Sequence, residues 1–487
     1  MTQVPHIRIR SVNEAQVNTN GAFVLYWMIA FRRIQWNFSL QRAAEWALGL
    51  GKPLLILEAL RCDYPWASDR LHRFVLQGME ENAKRLEDRP VLYFPFVERE
   101  KGQGKGLLEA LSTLACVVVT DDYPAFFLPR MVATAGRKLP VKLEAVDSNG
   151  LLPLRAADHV FYSAFLLRQF LHRELPNHLV EFPLEDPLAH LQVPPLHRLP
   201  KEVLQKWPPS TEDLPSLLAG ALTGLPIDHS VGNAPVTGGS RAGEETLRSF
   251  VEEKVPLYHT GRNHPDEKAT SGLSPYLHFG HVSVHQVFSE LARAEGWSIE
   301  KLASKGGGRR EGWWGMSPGA EAFLDELVTW RELGFNLCSR QDDYDRLHSL
   351  PPWALDDLLQ HAADPRPYLY SLEEFEGAQT HDPLWNAAQI QLVREGRIHN
   401  YLRMLWGKKI LHWSASPQEA LEIMIELNNK YALDGRDPNS YTGIMWILGR
   451  YDRPWAPSRP VFGRVRYMSS RNTLRKLKVA EYLKKYR

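Results

Sequence analysis

The sequence predicts two architectures in one chain: an N-terminal doubly wound parallel α/β (Rossmann-like) domain over 21–150 and an all-helical C-terminal domain over 246–487, joined by a long linker. Three observations carry this. Between 21 and 150, short and nearly wholly apolar runs alternate with amphipathic stretches, as in a parallel sheet covered by helices on both faces. From 151 to 245 prolines are dense and periodicity is weak. From 246 onward apolar residues recur at three- and four-residue spacing.

Taken in order, residues 1–20 read as an extended arm and FVLYWMIAF (23–31) as a buried strand. A helix follows at 40–51, a strand at 53–60, a helix at 69–86, a strand at 91–97, a helix near 104–115 and a strand at 116–122. No G-x-G-x-x-G follows the first strand, which speaks against a dinucleotide dehydrogenase. Asp121, Asp122 and Asp147 lie near strand ends, where such sheets bind ligands, although acidic residues there more often cap helices. The stretch FPLEDPLAHLQVPPLHRLPKEVLQKWPPSTEDLP is too apolar for a free linker and should wrap over the surface. Helices are predicted at 249–255, 284–295, 320–337, 353–362 and 416–429, and KGGGRREGWWGM (305–316) is a loop because three consecutive glycines cannot hold a helix.

With 487 residues and a formal net charge of +1, the chain has room for two or three cores and no global attraction to nucleic acid. The charge is uneven, however. From Arg450 to Arg487 basic residues far outnumber acids, a run that is often just solvated but also suits phosphate contact. Cys62, Cys116 and Cys338 are too few and too scattered for a disulfide framework or a zinc site, so no metal is expected. The N-terminus has no apolar h-region and no apolar run is long enough to span a bilayer, so a cytoplasmic protein without membrane contact is expected.

The chemistry concentrates at 381–413 and 428–446. Gly396 between two periodic runs predicts two helices joined by a tight turn. Trp406 and Trp413 are seven apart, on one helical face and about 10 Å apart along the axis. Aromatics at this spacing are ordinarily core, but Arg397, His399, Asn400 and Arg403 among them are poor core material.

The motifs HDPLWNAAQ (381–389), HNYLRMLWGKKILHW (399–413), NNKYALDGRDPNSYTGIMW (428–446) and RPVFGRVRYM (459–468), together with SGLSPYLHFG (271–280), GGSRAGE (238–244) and VLYWM (24–28), resemble the class II cyclobutane pyrimidine dimer (CPD) photolyases of the photolyase/cryptochrome family. The resemblance implies FAD in the helical domain and, in the α/β domain, a possible antenna chromophore, an 8-hydroxy-deazaflavin or a folate. Thr270, Ser271, Gly272, Leu273 and Ser274 would serve the pyrophosphate, with hydroxyls and approachable amides before a helix. Tyr258 and Arg262 would close over the phosphates or the adenine. Arg403 within an apolar helix needs a carboxylate partner, which Asp434 supplies, and the pair would sit beside the isoalloxazine. Asn428 would lie near flavin N5, with Asn429 as its alternative, and Trp385, Asn386 and Asp437 would complete the flavin site.

Trp385, Trp406 and Trp413 match the family's electron relay, in an order that spacing leaves open, with Tyr370 as a terminal donor. Glu326, Trp330, Met404 and Trp446 match the lesion pocket, and Arg450 would contact substrate. The sequence ELVTWRELGFN (326–336) departs from the form ELVRREL often seen in the family, with Trp330 where a basic residue can occur. The implied activity is light-driven repair by a monomer acting on UV-damaged duplex DNA with the lesion flipped out. The alternatives are a cryptochrome-like photoreceptor without repair, against which Glu326, Trp446 and the basic end argue, and a light-independent flavoprotein or DNA-binding module.

Overall fold

Phe23–Met28, an uninterrupted apolar run, forms β2, and all six of its residues are buried. In the computed structural model, which describes residues 3–220 and 222–487, β2 is an inner strand of a six-stranded sheet of order β1-β6-β5-β2-β3-β4. The other strands are β1 (Ile9–Ser11), β3 (Leu54–Leu60), β4 (Val91–Val97), β5 (Ala115–Asp121) and β6 (Leu143–Val146). β1 runs antiparallel to β6 and the remaining pairs are parallel. Helices α1 (Phe38–Leu50), α2 (Asp69–Leu86), α3 (Leu107–Leu114) and α4 (Leu128–Lys138) make the crossovers. The chain winds outward through β3 and β4, then returns to add β5 and β6 on the other side of β2. The sheet is therefore doubly wound, with its switch point between β2 and β5.

Asp121 stands at that switch point and neither lines an open crevice nor caps a helix. Its carboxylate accepts the backbone N–H groups of Ile29 (2.9 Å), Ala30 (2.7 Å) and Phe31 (2.9 Å) and the Tyr26 hydroxyl (2.8 Å). These donors replace the lost hydration of a fully buried charge and fix the turn after β2. Asp147 similarly takes the amides of Asn149 and Leu154, and Asp122 pairs with Arg10 and Arg155.

Contacts divide the chain into two units that interleave in sequence. One comprises Met1–Ala156, Glu174–Arg248 and Leu273–Arg293; the other comprises Ala157–Arg173, Ser249–Gly272 and Ala294–Arg487. Much of the proline-rich stretch is thus part of the α/β unit. Leu214, Leu217, Leu222 and Leu225 pack with Val75, Leu76 and Met79 of α2, while Leu188 and Leu191 join the core around β2 and α1. Its apolar content reflects this burial.

The second unit is helical. It holds most of α5 (Ala164–Glu174) and the helices Pro318–Leu324, Arg331–Arg340, Pro352–Gln360, Pro383–Glu395, Asn400–Trp413, Pro417–Tyr431 and Pro438–Ile447. The helix expected over 320–337 is interrupted by a π-helical segment, Asp325–Trp330, a form frequent at functional sites. Among the described residues no helix is long and apolar enough to cross a membrane.

Asp121→Ala should leave three backbone donors and a tyrosine hydroxyl buried without their acceptor, at about 1–3 kcal/mol per group. Denaturant unfolding of the variant is expected to show a loss of at least about 3 kcal/mol from the α/β unit; an unchanged midpoint would show that the turn does not need the carboxylate.

Candidate active site

The helix pair predicted around Gly396 forms as expected. Asp382 caps the first helix by accepting the Leu384 and Trp385 amides, Pro383 opens it, and Gly396 closes it at φ 69°. Trp385, Trp406 and Trp413 are all essentially buried. The Trp385 indole donates to the Trp406 carbonyl (2.9 Å) and the Trp406 indole to Gln389 Oε1 (2.9 Å). The rings of Trp385 and Trp413 are 6.2 Å apart, Trp413 and Tyr370 5.7 Å. Beyond Tyr370 lies His381, whose Nδ1 is 2.7 Å from the Tyr370 hydroxyl and whose ring stacks at 3.8 Å on the exposed Tyr368. An aromatic path therefore runs from the helical core to solvent.

Arg403, on the same helix as Trp406, is half-buried and its Nη2 reaches both Asp434 oxygens, at 3.0 and 3.3 Å. One turn earlier is His399, against which the Arg262 backbone lies, and burial lowers its imidazole to about 4, so the ring is neutral. Arg403 Nε and His399 Nδ1 are both buried with no protein partner among the described residues. Arg262 in turn pairs with Glu326 at 2.8 Å and lies over the Tyr258 ring. Burial holds the Glu326 carboxyl above its usual range, with Arg262 pulling it down and Asp325 pushing it up. Asn428, fully buried near Asp434, donates to Ser440 Oγ (2.7 Å) and to Asn429 Oδ1 (3.2 Å).

Glu326 and Trp330 share the π-helical segment, and Trp330 stacks on Trp446 with centroids 4.4 Å apart and planes 13° apart. The two rings form one stacked pair; they do not face each other across a gap. Gly334 permits this, because a Cβ there would lie 2.9 Å from the Asn439 amide, so the Arg331–Arg340 and Pro438–Ile447 helices approach backbone to backbone. Lys408, fully buried, donates from Nζ to the Ile447 carbonyl and so closes the C-terminal end of the helix that carries Trp446. The sequence pattern did not single out Lys408, and it marked His399 only as poor core material.

No protein-family profile matches the chain, but full-length relatives do. It is 34% identical over 482 residues to the deoxyribodipyrimidine photo-lyase of Methanothermobacter thermautotrophicus, covering 99% of this chain and 98% of that protein. Against the protein of the same name from Potorous tridactylus the identity is 36% over 486 residues, covering 98% and 84%; against that from Arabidopsis thaliana it is 33% over 476, covering 94% and 88%. The chain belongs to the photolyase family. A solved class III photolyase from Agrobacterium tumefaciens shares its fold, with a TM-score of 0.65 over 96% of this chain and 86% of that one, at 16% identity.

Within this photolyase-family chain, several expected site residues have structural work. Asn386 uses its whole amide on Thr380, accepting from its amide and hydroxyl and donating to its carbonyl. Asp437 caps the Pro438–Ile447 helix. Arg450 is only 2% exposed and bonds Ser349 and Gln341, which leaves it no free face for substrate here. Thr270, Ser271 and Gly272 lie in the helical unit, whereas Leu273 and Ser274 fall in the α/β unit, and the Ser274–His278 helix is only five residues long. Its dipole is correspondingly small. Met404 is half-buried beside Arg403. The basic C-terminal end is partly neutralised: Arg464 pairs with Asp357, Lys478 with Glu267 and Lys485 with Glu395. Among the described residues no cluster could hold a metal ion.

Burial lowers the Lys408 ammonium to about 7, Asp452 opposing this and Arg466 reinforcing it. Between that value and the lysine value of about 10.4 in the unfolded chain, the folded state binds fewer protons, so this group makes stability rise with pH across that window. Denaturation midpoints measured from about pH 7 to about pH 10 should rise less in Lys408→Met than in the parent; identical slopes would mean that the ammonium is not desolvated.

Proposed function

We propose that this protein repairs UV-damaged DNA in light, splitting cyclobutane pyrimidine dimers with FAD held in its helical unit. The observation that carries the activity is the end-to-end match to relatives named deoxyribodipyrimidine photo-lyase. A signalling photoreceptor is not favoured by that match. The flavin part of the reading is supported by the donor set. Buried polar atoms rarely lack partners, and Arg403 Nε and His399 Nδ1, beside a half-buried Arg403–Asp434 pair, are what a ligand with a polar ring edge would satisfy.

In this reading Arg403 and Asp434 bind the pyrimidine edge of the ring, Asn428 or Asn429 offers an amide to its central nitrogen, and Tyr258, Arg262, Thr270, Ser271 and Gly272 of the same unit serve the adenine and pyrophosphate. When bound in reduced form, the flavin would supply the light absorption and the electron, given and regained, by which the dimer's two ring bonds open. Trp330, Trp446 and Met404 offer an apolar face to the flipped lesion, worth about 1–3 kcal/mol per stacked base. Glu326, whose proton affinity burial raises against the opposing pull of Arg262, would hydrogen-bond the pyrimidine carbonyls or share a proton with them. Trp406, Trp385 and Trp413 pass an electron inward, and Tyr370 replaces it while His381 Nδ1 takes the phenolic proton. A deazaflavin or folate antenna would suit the aromatic group at the C-terminal edge of β3 and β5, where Trp66 (φ 64°) and Phe126 (φ 63°) hold strained backbones beside Tyr64 and Phe127. The protein would act as a monomer.

Asp434→Ala removes the counter-ion of a half-buried guanidinium, so the variant should purify with little flavin by absorbance; a fully yellow preparation would remove the pair from the site. Trp406→Phe should abolish photoreduction of oxidised flavin while chemically reduced enzyme still repairs irradiated DNA. Unchanged photoreduction would exclude Trp406 from the relay, and lost repair would contradict the division between relay and lesion chemistry.

A further inference from the structure

The loop KGGGRREGWWGM (305–316) is held to the helical unit by two buried indoles and a buried carboxylate. Trp313 is buried, stacks on His172 of α5 at 4.3 Å, and its carbonyl accepts the Ala303 amide. Trp314, also buried, accepts the Trp297 indole N–H at its carbonyl (2.6 Å). Glu321, 4% exposed, gathers the amides of Gly312, Gly315 (3.0 Å) and Met316 (3.4 Å). The Gly308 amide donates to His172 Nδ1 (3.2 Å), and Gly306 sits so close to that ring that a Cβ would lie 2.0 Å from it.

What this clasp presents to solvent is charge. Lys305, Arg309 and Arg310 are exposed, and neither arginine has an ion-pair partner among the described residues; Glu311 is the one acid between them and Trp313. At the C-terminal end Arg464, Lys478 and Lys485 are paired and Arg450 is buried, while Arg471, Arg475 and Lys476 are exposed as well.

The loop is also tied to the lesion side of the site. His172 holds the loop, and Arg168, one turn earlier on α5 and so about 6 Å away along the axis, donates to Asp325 at 2.7 Å. Asp325 directly precedes Glu326. The Arg310 guanidinium is near enough for its charge to act on the Glu326 carboxyl. A flexible basic loop would lose much of its binding energy to ordering, but a clasped one has already met that cost. Guanidinium groups match phosphate oxygens bidentately, and two of them on a loop whose backbone is already fixed can engage a phosphodiester without first ordering the loop.

We propose that the 305–316 loop is a prefixed phosphate clamp, with Arg309 and Arg310 gripping the backbone of the damaged strand beside the lesion pocket. This rests on the DNA-repair reading. The test is binding of irradiated and unirradiated duplex by the flavin-loaded protein between about 50 and about 200 mM salt, with parent, Arg309→Gln/Arg310→Gln and Glu321→Gln. Each phosphate contact contributes about 0.9 to the slope of log affinity against log salt, so the double variant should lose roughly 1.8. It should also weaken both duplexes alike and keep its flavin spectrum. Glu321→Gln should weaken binding with the slope retained, because the arginines remain but are no longer held. Parent-like slope and affinity in the double variant, with the parent binding irradiated DNA, would overturn the clamp alone. A parent indifferent to irradiated DNA would overturn the repair reading, and the clamp with it.

Discussion

A guanidinium drawn into a helical core must carry its counter-charge with it, and the active-site half of this molecule is arranged around that demand. Arg403 lies in the first turn of the Asn400–Trp413 helix, one turn before Trp406, and is half-buried, so leaving its charge unpaired there would be costly. Asp434 meets it from a loop that has to turn sharply to do so. Arg436 takes a left-handed backbone (φ 67°), its amide donates to Asn429 Oδ1, and its guanidinium returns to the Asn429 carbonyl. The same turn packs Gly435 and Arg436 against Asn428 and Asn429. Beside the pair, Arg403 Nε and His399 Nδ1 are buried without a protein partner among the described residues.

Around this centre the packing separates two kinds of aromatic residue. Trp385, Trp406 and Trp413 are sealed in and joined by hydrogen bonds and ring contacts, which suits groups whose job is to pass charge without meeting water. Trp330 and Trp446 are half-buried and stacked on one another, on elements brought together by the bare backbone at Gly334 and closed by Lys408. In the function proposed for it, a flipped base would exchange its stacking in DNA for stacking on this pair, which the pair's partial exposure allows.

Much of this was legible in the residues. The strands β2 to β5 were visible because parallel strands buried on both faces need unbroken apolar runs, and Gly396 marked the turn between the two tryptophan helices. The need of Arg403 for a carboxylate followed from charge burial. Other features depend on partners far away in sequence. No local pattern shows that Asp121 holds the turn after β2, that the leucines of 214–225 cover α2, or that Arg450 faces inward to Ser349. The π-helical segment at 325–330 reads as ordinary helix, since its apolar spacing is that of its neighbours. Asp437 and Asn386 carry the family motif yet act here as a cap and a turn lock, which motif matching does not distinguish from ligand contact.

The central claim is that light absorbed at the Arg403–Asp434 centre opens a pyrimidine dimer lying against Glu326, Trp330 and Trp446. Its most direct measurement is the ultraviolet absorbance of irradiated oligothymidylate mixed with the chemically reduced, flavin-loaded protein, followed under blue light and in the dark. The thymine band should recover in light and stay low in darkness. No recovery in light, or equal recovery in darkness, would contradict it.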